Sequence, residues 1–195
     1  MLSPFALVRL FRDPRGFMLD HLQDSPNSVA LFVHTVLPFA SIRPLAILVR
    51  SLFLDSLVPG IVLALGSWVL QASVYAGAAL LLPALAHQLA IKLDDRAGRA
   101  TLCYAFVPLW LAGVFFVFPD EFGWLMVWSR VMVTLTGLTG LYLFARGIRA
   151  QALDSRQALA LTLATGLAVS VFYALLFPFF AISAHIAIYL LGAGA

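Results

Sequence analysis

Long apolar runs separated by short polar segments are the dominant pattern along this chain. The clearest example is an apolar run that follows Tyr104, is interrupted by Pro-Asp-Glu at 119–121, and resumes at Phe122. Each of these two runs has about 20 residues, the length that crosses the roughly 30 Å hydrocarbon layer of a bilayer as a helix. Because the interruption is so short, the pattern predicts two adjacent, antiparallel membrane helices.

The same pattern predicts five membrane-spanning helices, with a sixth as an alternative. The spans are expected at about residues 29–49, 60–91, 101–118, 122–145 and 158–191. Residues 1–28 form a polar-to-amphipathic lead, in which Asp13-Pro14 breaks any helix because the residue before proline is pushed out of the α conformation. The predicted fold is an all-α, polytopic membrane helical bundle, with a lead at 1–28 and a single transmembrane domain at 29–195.

In two segments the sequence is compatible with more than one path of the chain. Residues 44–58 are apolar but contain Arg50 and Asp55, which suits either a short interfacial helix or the frayed end of the first span. Residues 178–191 either continue the fifth span after a kink at Pro178 or fold back as a re-entrant segment. Interior prolines, which remove a backbone hydrogen bond and bend a helix, occur in four of the five spans. They are Pro38, Pro83, Pro108 and Pro178.

Composition supports the membrane interpretation. Hydrophobic residues make up 63% of the chain and charged residues 11%, and the mean hydropathy is +1.00. Soluble domains have about 45–50% apolar and about 25% charged residues. Backbone groups in the bilayer core must pair within their own segment, which favours helices, and the alternation expected of a transmembrane β-barrel is not found.

The net charge of +3 does not indicate a nucleic-acid partner, because the basic residues flank apolar runs instead of forming a stripe. If the N-terminus is cytoplasmic, nine basic residues lie in cytoplasmic segments: Arg9, Arg12, Arg15, Lys92, Arg96, Arg99, Arg146, Arg149 and Arg156. Three lie on or near the opposite side: Arg43, Arg50 and Arg130. This bias predicts an N-in, C-out orientation.

Reactive residues are few. The single cysteine, Cys103, excludes an intramolecular disulfide and a cysteine-built metal site. His34, His87 and His185 come from different spans without adjacent carboxylates, so helix-to-helix hydrogen bonds are expected from them instead of a metal site. No nucleophile–histidine–acid set, phosphate-binding loop, dinucleotide fingerprint or HExxH box occurs. Neither enzymatic activity nor a cofactor is therefore expected.

Two arginines are expected within spans. Arg43 lies about 21 Å along the first span and is expected near the far interface, where its long side chain reaches the headgroups. Arg130 lies about two turns into the fourth span. One interpretation pairs Arg130 with Asp55, or with Asp120 and Glu121, on a polar cavity. The other is an arginine that extends to the headgroup region beside two interfacial tryptophans.

Tyr104 and Pro108 lie one turn apart on one helix face. Pro108 has no N–H to donate and its ring clashes with the carbonyl of Tyr104, so the helix is expected to bend there. A functional interpretation is that the freed carbonyl lines a substrate site, as in the broken helices of transporters. A structural interpretation is a kink that lets the spans pack.

Small residues predict close contacts between helices. Gly137 and Gly140 are expected to form a close-packing face against the third span. Three threonines are expected to hydrogen-bond across this face: Thr134, Thr136 and Thr139. In the fifth span, small residues recur at a spacing of four: Gly166, Ser170 and Ala174.

The central hairpin resembles a known family. Its pattern is Tyr104-x-x-x-Pro108-Leu109-x-Leu111-x-Gly113, then Phe118-Pro119, then Leu141-Tyr142-Leu143 with Gly147-Ile148 beyond. This pattern resembles the core of the Yip family, the Ypt/Rab-interacting integral membrane proteins. The short lead with Asp13-Pro14 makes the chain more similar to the bacterial inner-membrane branch. The long acidic N-terminal domain of many eukaryotic members is absent, so the resemblance does not imply binding to a Rab.

The resemblance implies a five-span, N-in/C-out protein of the bacterial inner membrane, and it implies no established reaction. The expected function is a non-enzymatic, membrane-organising or protein/lipid-interaction role, with membrane lipids and a second copy or another membrane protein as partners. The alternative is a small-molecule or ion transporter or channel subunit with a polar site near Arg130 and the proline-kinked helices. The candidate functional positions are Tyr104, Pro108, Gly113, Pro119, Arg130, Gly137, Gly140, Tyr142 and Gly147.

Overall fold

The structure is a computed structural model that describes residues 3–23, 27–54, 56–118, 123–151 and 153–191. Within these ranges the secondary structure is helical, without strands. Five helices, called the first to fifth spans, are long and apolar enough to cross a membrane: Val29–Phe53, Leu57–Gln88, Asp95–Val117, Gly123–Ala150 and Ser155–Leu190. The prediction of an all-α chain with five apolar spans is confirmed, and the architecture is that of a multi-pass membrane protein. The N-in, C-out orientation stays a prediction.

The lead begins with helix α1, Pro4–Arg12. Ser3 caps it, because the Ser3 hydroxyl oxygen accepts a hydrogen bond of 3.1 Å from the backbone N–H of Ala6. Leu10 is buried against the bundle, whereas Phe5 is 88% exposed. The helix therefore has one face on the protein and an apolar face that is uncovered.

Helix α2, Pro14–Gln23, follows after a single residue. Asp13 ends α1 and its carboxylate accepts a 3.0 Å hydrogen bond from the N–H of Gly16, which starts α2. Arg9 and Asp20 form an ion pair of 2.6 Å between the two helices. The predicted helix break at Asp13-Pro14 is confirmed.

The first span contains a π-helical turn at Phe32–Val36, followed by an α-helical turn, Leu37–Ala40, that has Pro38 near its start. It then continues through a bend at Ser41 as Ile42–Phe53. The segment from 44 to 53 is therefore the end of the first span itself and not a separate interfacial helix. The expected end at residue 49 was too early because Arg50 is compatible with the last turn of a helix that reaches the interface.

The third span begins at Asp95, six residues before its expected start. Asp94 caps it by accepting a 3.0 Å hydrogen bond from the N–H of Arg96. Hydropathy marks only the part of a helix that lies within the hydrocarbon layer, so this charged first turn was assigned to a loop. The span is α-helical to Leu111 and ends as a 3₁₀-helix, Ala112–Val117.

The fifth span is one continuous helix, Ser155–Leu190, that passes through Pro178. The re-entrant alternative is not adopted, and the described residues form no sixth span. With 36 residues the helix is about 54 Å long, and the second span, with 32, is about 48 Å. Both exceed the roughly 30 Å hydrocarbon thickness, so they tilt or extend beyond it.

The third span is the centre of the bundle. In its most apolar window 67% of the residues are buried, against 6% in that of the fifth span. The third span pairs with the fourth, and the second packs along both the first and the fifth. Gly140 touches the backbone of the third span, since a Cβ at this position would lie 2.5 Å from the carbonyl oxygen of Ala105. Gly77 similarly accommodates Phe172 of the fifth span.

Candidate functional site

A cavity of about 540 Å³ lies inside the bundle, and all five spans contribute to its wall. Its floor is one face of the third span, formed by Leu102, Ala105, Phe106 and Leu109. Most other lining residues are also apolar. The volume falls within the range of about 300–1,000 Å³ that is typical of ligand sites.

Small residues create this space. The fourth span touches the third at Gly140, but a Cβ at Gly137, one turn earlier, would meet no atom within 4 Å. Gly137 therefore lines an opening instead of a helix contact. The expected close-packing face is formed by Gly140, whereas Gly137 marks the place where the two helices separate.

The threonines of the fourth span do not bond across to the third. Each hydroxyl donates to a carbonyl oxygen one turn earlier in its own helix: Thr134 to Arg130 at 2.9 Å, Thr136 to Met132 at 2.7 Å and Thr139 to Leu135 at 2.8 Å. The facing residues of the third span are apolar, so the local carbonyl is the available partner. The predicted cross-helix bonds are therefore wrong.

Arg43 lies in the wall of the cavity at the end away from α1 and α2. The guanidinium carbon is 4.0 Å from the ring centroid of Phe116, a cation–π contact. The Nε atom is buried and has no hydrogen-bond partner. Among the described residues, no carboxylate forms an ion pair with this side chain. The side chain turns into the bundle at the level of the last turn of the third span, and the expected position of Arg43 near the far interface stays a prediction.

The backbone explains the inward position of Arg43. A Cβ at Gly113 would lie 2.6 Å from the Cβ of Arg43 and 2.9 Å from its Cα and N, so the first and third spans touch here. Pro44 follows directly and cannot donate to the carbonyl of Ala40. That carbonyl instead accepts a 3.4 Å hydrogen bond from Nε2 of Gln71 on the second span. Three helices thus hold the chain around Arg43.

The position of Arg43 is energetically costly. The buried Nε of Arg43 is a donor without a partner, and such a donor costs about 1–3 kcal/mol. The aromatic contact with Phe116 offsets part of this cost. Among the described residues nothing else neutralises the charge inside the cavity.

A second unpaired polar group lies in the cavity wall. Thr165 on the fifth span is 3% exposed, and its hydroxyl oxygen has no hydrogen-bond partner. The neighbouring polar groups are satisfied locally: Ser170 donates to the carbonyl of Gly166 at 2.9 Å, and Gln71 donates to Ser67 and Ala40. Arg43 and Thr165 are therefore the groups with buried, unused hydrogen-bonding capacity that line this cavity.

The cavity opens sideways. Its exposed lining residues all belong to the fourth and fifth spans: Thr134, Leu138, Leu141, Ser170 and Tyr173. The opening is bounded where the two spans touch at Gly166, since a Cβ there would lie 2.8 Å from the side chain of Leu141. Of the predicted small-residue stripe, Gly166 and Ser170 thus line the cavity mouth, whereas Ala174 does not line the cavity.

Arg130 does not line the cavity. Its residue is exposed on the outside of the fourth span, which agrees with an arginine that extends towards the headgroups. The proposed partners Asp55, Asp120 and Glu121 lie outside the described residues. The charged residue in the described lining of the cavity is therefore Arg43, on the first span.

Tyr104 and Pro108 are buried but lie on a face of the third span that points away from the cavity. The Tyr104 ring meets the edge of Phe17 of α2 at a centroid distance of 5.2 Å. Phe17 in turn stacks on His21 at 4.0 Å. This arrangement supports the structural interpretation of the proline, since neither Tyr104 nor Pro108 lines the cavity.

Three further candidate positions lie elsewhere. Gly147 accommodates Thr101 of the third span and the Met18 sulfur of α2, so it is a packing position. Tyr142 is exposed and its hydroxyl accepts a 3.1 Å hydrogen bond from Nε of Arg146. Pro119 lies outside the described residues.

The histidines make no helix-to-helix hydrogen bonds. His34, His87 and His185 are exposed, and no hydrogen bond joins any of them to another described residue. Within the described ranges, no group of three or more histidine, cysteine, aspartate or glutamate residues is placed to hold a metal ion. The predicted histidine bonds fail because the side chains point outward from their spans.

Sequence reasoning missed the roles of Arg43, Gln71 and Thr165. Arg43-Pro44 was a usable signal, because an arginine followed by a proline inside an apolar run brings both a charge and a freed carbonyl into the span. Gln71 supplied the matching donor near the middle of the second span. Pairing the two required knowledge of which spans are neighbours.

No protein-family model, no curated protein and no solved structure matches this chain. The resemblance to the Yip family therefore stays a prediction that rests on the residues of the central hairpin. The structure by itself shows a bundle with five apolar spans and a cavity that is open on one flank.

Proposed function

We propose that this chain is a non-enzymatic integral membrane protein that holds a lipid-class, amphiphilic molecule in its cavity. The observation that carries this proposal is the lateral opening between the fourth and fifth spans into a largely apolar space of about 540 Å³. Molecules dissolved in the bilayer have direct access to such an opening. An apolar guest gains dispersion contacts with the floor of the third span.

This proposal fits the protein/lipid-interaction role that the Yip resemblance implies. A bacterial inner-membrane location, an N-in/C-out orientation, a membrane-organising role and a partner in the membrane belong to the same proposal. Its support from the residues is the motif in the central hairpin and the bias of basic side chains.

Filling the cavity tests the proposal. Gly137→Phe places a large ring in the open space, where a Cβ meets nothing within 4 Å. We expect lipid that co-purifies with the protein in mild detergent, quantified by mass spectrometry, to fall about tenfold, the effect of losing roughly 1.4 kcal/mol of binding free energy.

The matched control is Gly66→Phe. A Cβ at Gly66 also meets nothing within 4 Å, but Gly66 on the second span does not line the cavity. This variant is expected to retain its lipid. Equal lipid content in both variants and the unmodified protein would show that the cavity is not the binding site.

A transporter for a small solute is the second candidate function. The observation that favours it is the unpaired Arg43 in a cavity bounded by all five spans, since transporter sites lie between spans within the membrane. A transporter requires solute flux across proteoliposomes that Gly137→Phe blocks and Gly66→Phe does not. A holding protein binds lipid without such flux.

A further inference from the structure

We propose that the molecule held in the cavity is an anion: its carboxylate or phosphate headgroup pairs with Arg43, and one apolar chain runs along the third span. This inference rests on the proposed function and adds the charge and the orientation of the ligand. Arg43 itself is not a position of the central-hairpin motif.

The charge follows from what Arg43 lacks. Its Nε is buried without a hydrogen-bond partner, and no carboxylate among the described residues pairs with the guanidinium. Phe116 covers one face of the guanidinium at 4.0 Å and Nε is enclosed, so the two terminal Nη groups are the donors that remain for a molecule in the cavity. A planar guanidinium presents its donors in a fork that matches a carboxylate or phosphate.

The other described residues of the cavity wall offer no counter-charge to Arg43. The other polar side chains that line the cavity are neutral: Gln71, Thr134, Thr136, Thr165, Ser170 and Tyr173. A ligand without charge would leave the guanidinium without a counter-charge, whereas an anion in hydrogen-bonding geometry offsets part of the cost of its partial burial. Arg43 thereby selects for anions among the molecules in the bilayer.

The orientation follows from the two ends of the cavity. Arg43 lies level with Gly113 and Phe116 at the end away from α1 and α2. Leu102 and Phe144 line the opposite, apolar end. The distance from Leu102 to Gly113 is 11 residues, or roughly 16 Å along the helix. The headgroup therefore lies in the membrane half opposite α1 and α2, and the chain extends towards them.

The ligand chemistry has two sources in a membrane: a fatty-acid anion, or an anionic phospholipid that inserts one of its chains. Both bring an anion joined to an apolar chain, so the geometry of Arg43 suits both. Matched probes separate them. A brominated fatty acid and its methyl ester share one chain, and a brominated phosphatidylglycerol and the diacylglycerol of the same chains differ by the phosphate headgroup.

Trp110 provides the readout, because it lines the cavity and is 1% exposed. The full chain, with Trp68, Trp124 and Trp128 replaced by phenylalanine, is reconstituted into phosphatidylcholine vesicles with one brominated probe at a time. Bromine quenches tryptophan only at short range, so quenching reports a chain inside the cavity. We expect at least one anionic probe to quench at about 10- to 100-fold lower membrane concentration than its neutral counterpart.

Arg43→Gln is expected to abolish this preference and leave the neutral probes unaffected. The close contact with Gly113 involves the Cβ and backbone of Arg43, which glutamine keeps. Arg43→Lys retains the charge but not the forked donors, and it is expected to keep a reduced preference for the anionic probes. It replaces the glutamine variant in the test if that variant does not fold. Thr165→Val and Arg130→Gln are the controls: one removes a neutral polar group of the cavity, the other a membrane arginine outside it.

The outcomes separate this inference from the proposed function. Two outcomes overturn the inference and leave the lipid-holding function standing. One is an anion preference that survives Arg43→Gln. The other is a parent protein without any preference whose quenching Gly137→Phe still abolishes. Absence of quenching by every probe overturns both. Preference for only the fatty acid or only phosphatidylglycerol supports the inference and identifies the source.

Discussion

Single glycines determine where these helices touch and where they separate. Gly113 permits the backbone of Arg43 to approach the third span, and Gly140 permits contact with the carbonyl of Ala105. Gly137 instead adjoins empty space. The residue type is the same at all three positions, so the difference lies in what the neighbouring span presents.

At Gly113 a side chain has no room. A Cβ would lie 2.6–2.9 Å from the Cβ, Cα and N of Arg43, and backbone atoms cannot move aside. Gly113→Val is expected to destabilise the fold by about 1–3 kcal/mol and to lower the midpoint of thermal unfolding in detergent by roughly 2 to 12 °C. Gly66→Ala, with open space around its Cβ, is expected to leave the midpoint unchanged or raised. A Gly113→Val protein as stable as the parent would contradict this contact.

At the scale of elements, the two lead helices form a unit that packs on the ends of the third and fourth spans. The buried side chains Leu10, Phe17 and Met18 are 0% exposed. Phe17 meets Tyr104, and Met18 lies beside Gly147. Two positions of the central motif, Tyr104 and Gly147, are therefore docking positions for α2.

Removing the main anchor of α2 should release the lead. Phe17→Ala is expected to cost about 3–5 kcal/mol locally, the usual loss for a buried phenylalanine. Hydrogen–deuterium exchange should increase across residues 3–23 and stay unchanged in the five spans. Arg9→Ala is the control, since the half-exposed ion pair between Arg9 and Asp20 contributes at most about 1 kcal/mol. Unchanged exchange in Phe17→Ala would show that α2 is held in another way.

At the scale of the whole molecule, the described residues contain five helices that are long and apolar enough to cross a membrane. If all five cross it, their odd number predicts that the two ends of the chain lie on opposite sides. The basic side chains predict which side is which: segments rich in arginine and lysine, such as 92–99 and 146–156, are expected in the cytoplasm.

Reporter fusions test this orientation. A periplasm-active phosphatase fused after Ala195 is expected to be active, and the same enzyme inserted in the 92–94 loop is expected to be inactive. A fluorescent protein that matures only in the cytoplasm should give the reverse pattern. Fluorescence from a fusion after Ala195 would contradict the predicted topology.

The apolar runs alone predicted the class of fold and the number of spans. Lipid imposes a minimum length and internal hydrogen bonding on every crossing segment, and that constraint is visible in any long apolar run. Span ends were predicted less well. Asp95 and Arg96 belong to a helix that extends past the hydrocarbon, where hydropathy no longer reports helix formation.

Tertiary structure decided the site. Arg43 and Arg130 are both arginines within apolar runs, yet one turns into a cavity and the other is exposed. The difference arises because Gly113 and Gln71, distant in the sequence, hold the first span close to its neighbours around Arg43. Hydrophobicity is a property of each segment by itself, whereas the direction in which a charged side chain points depends on which helices pack against it.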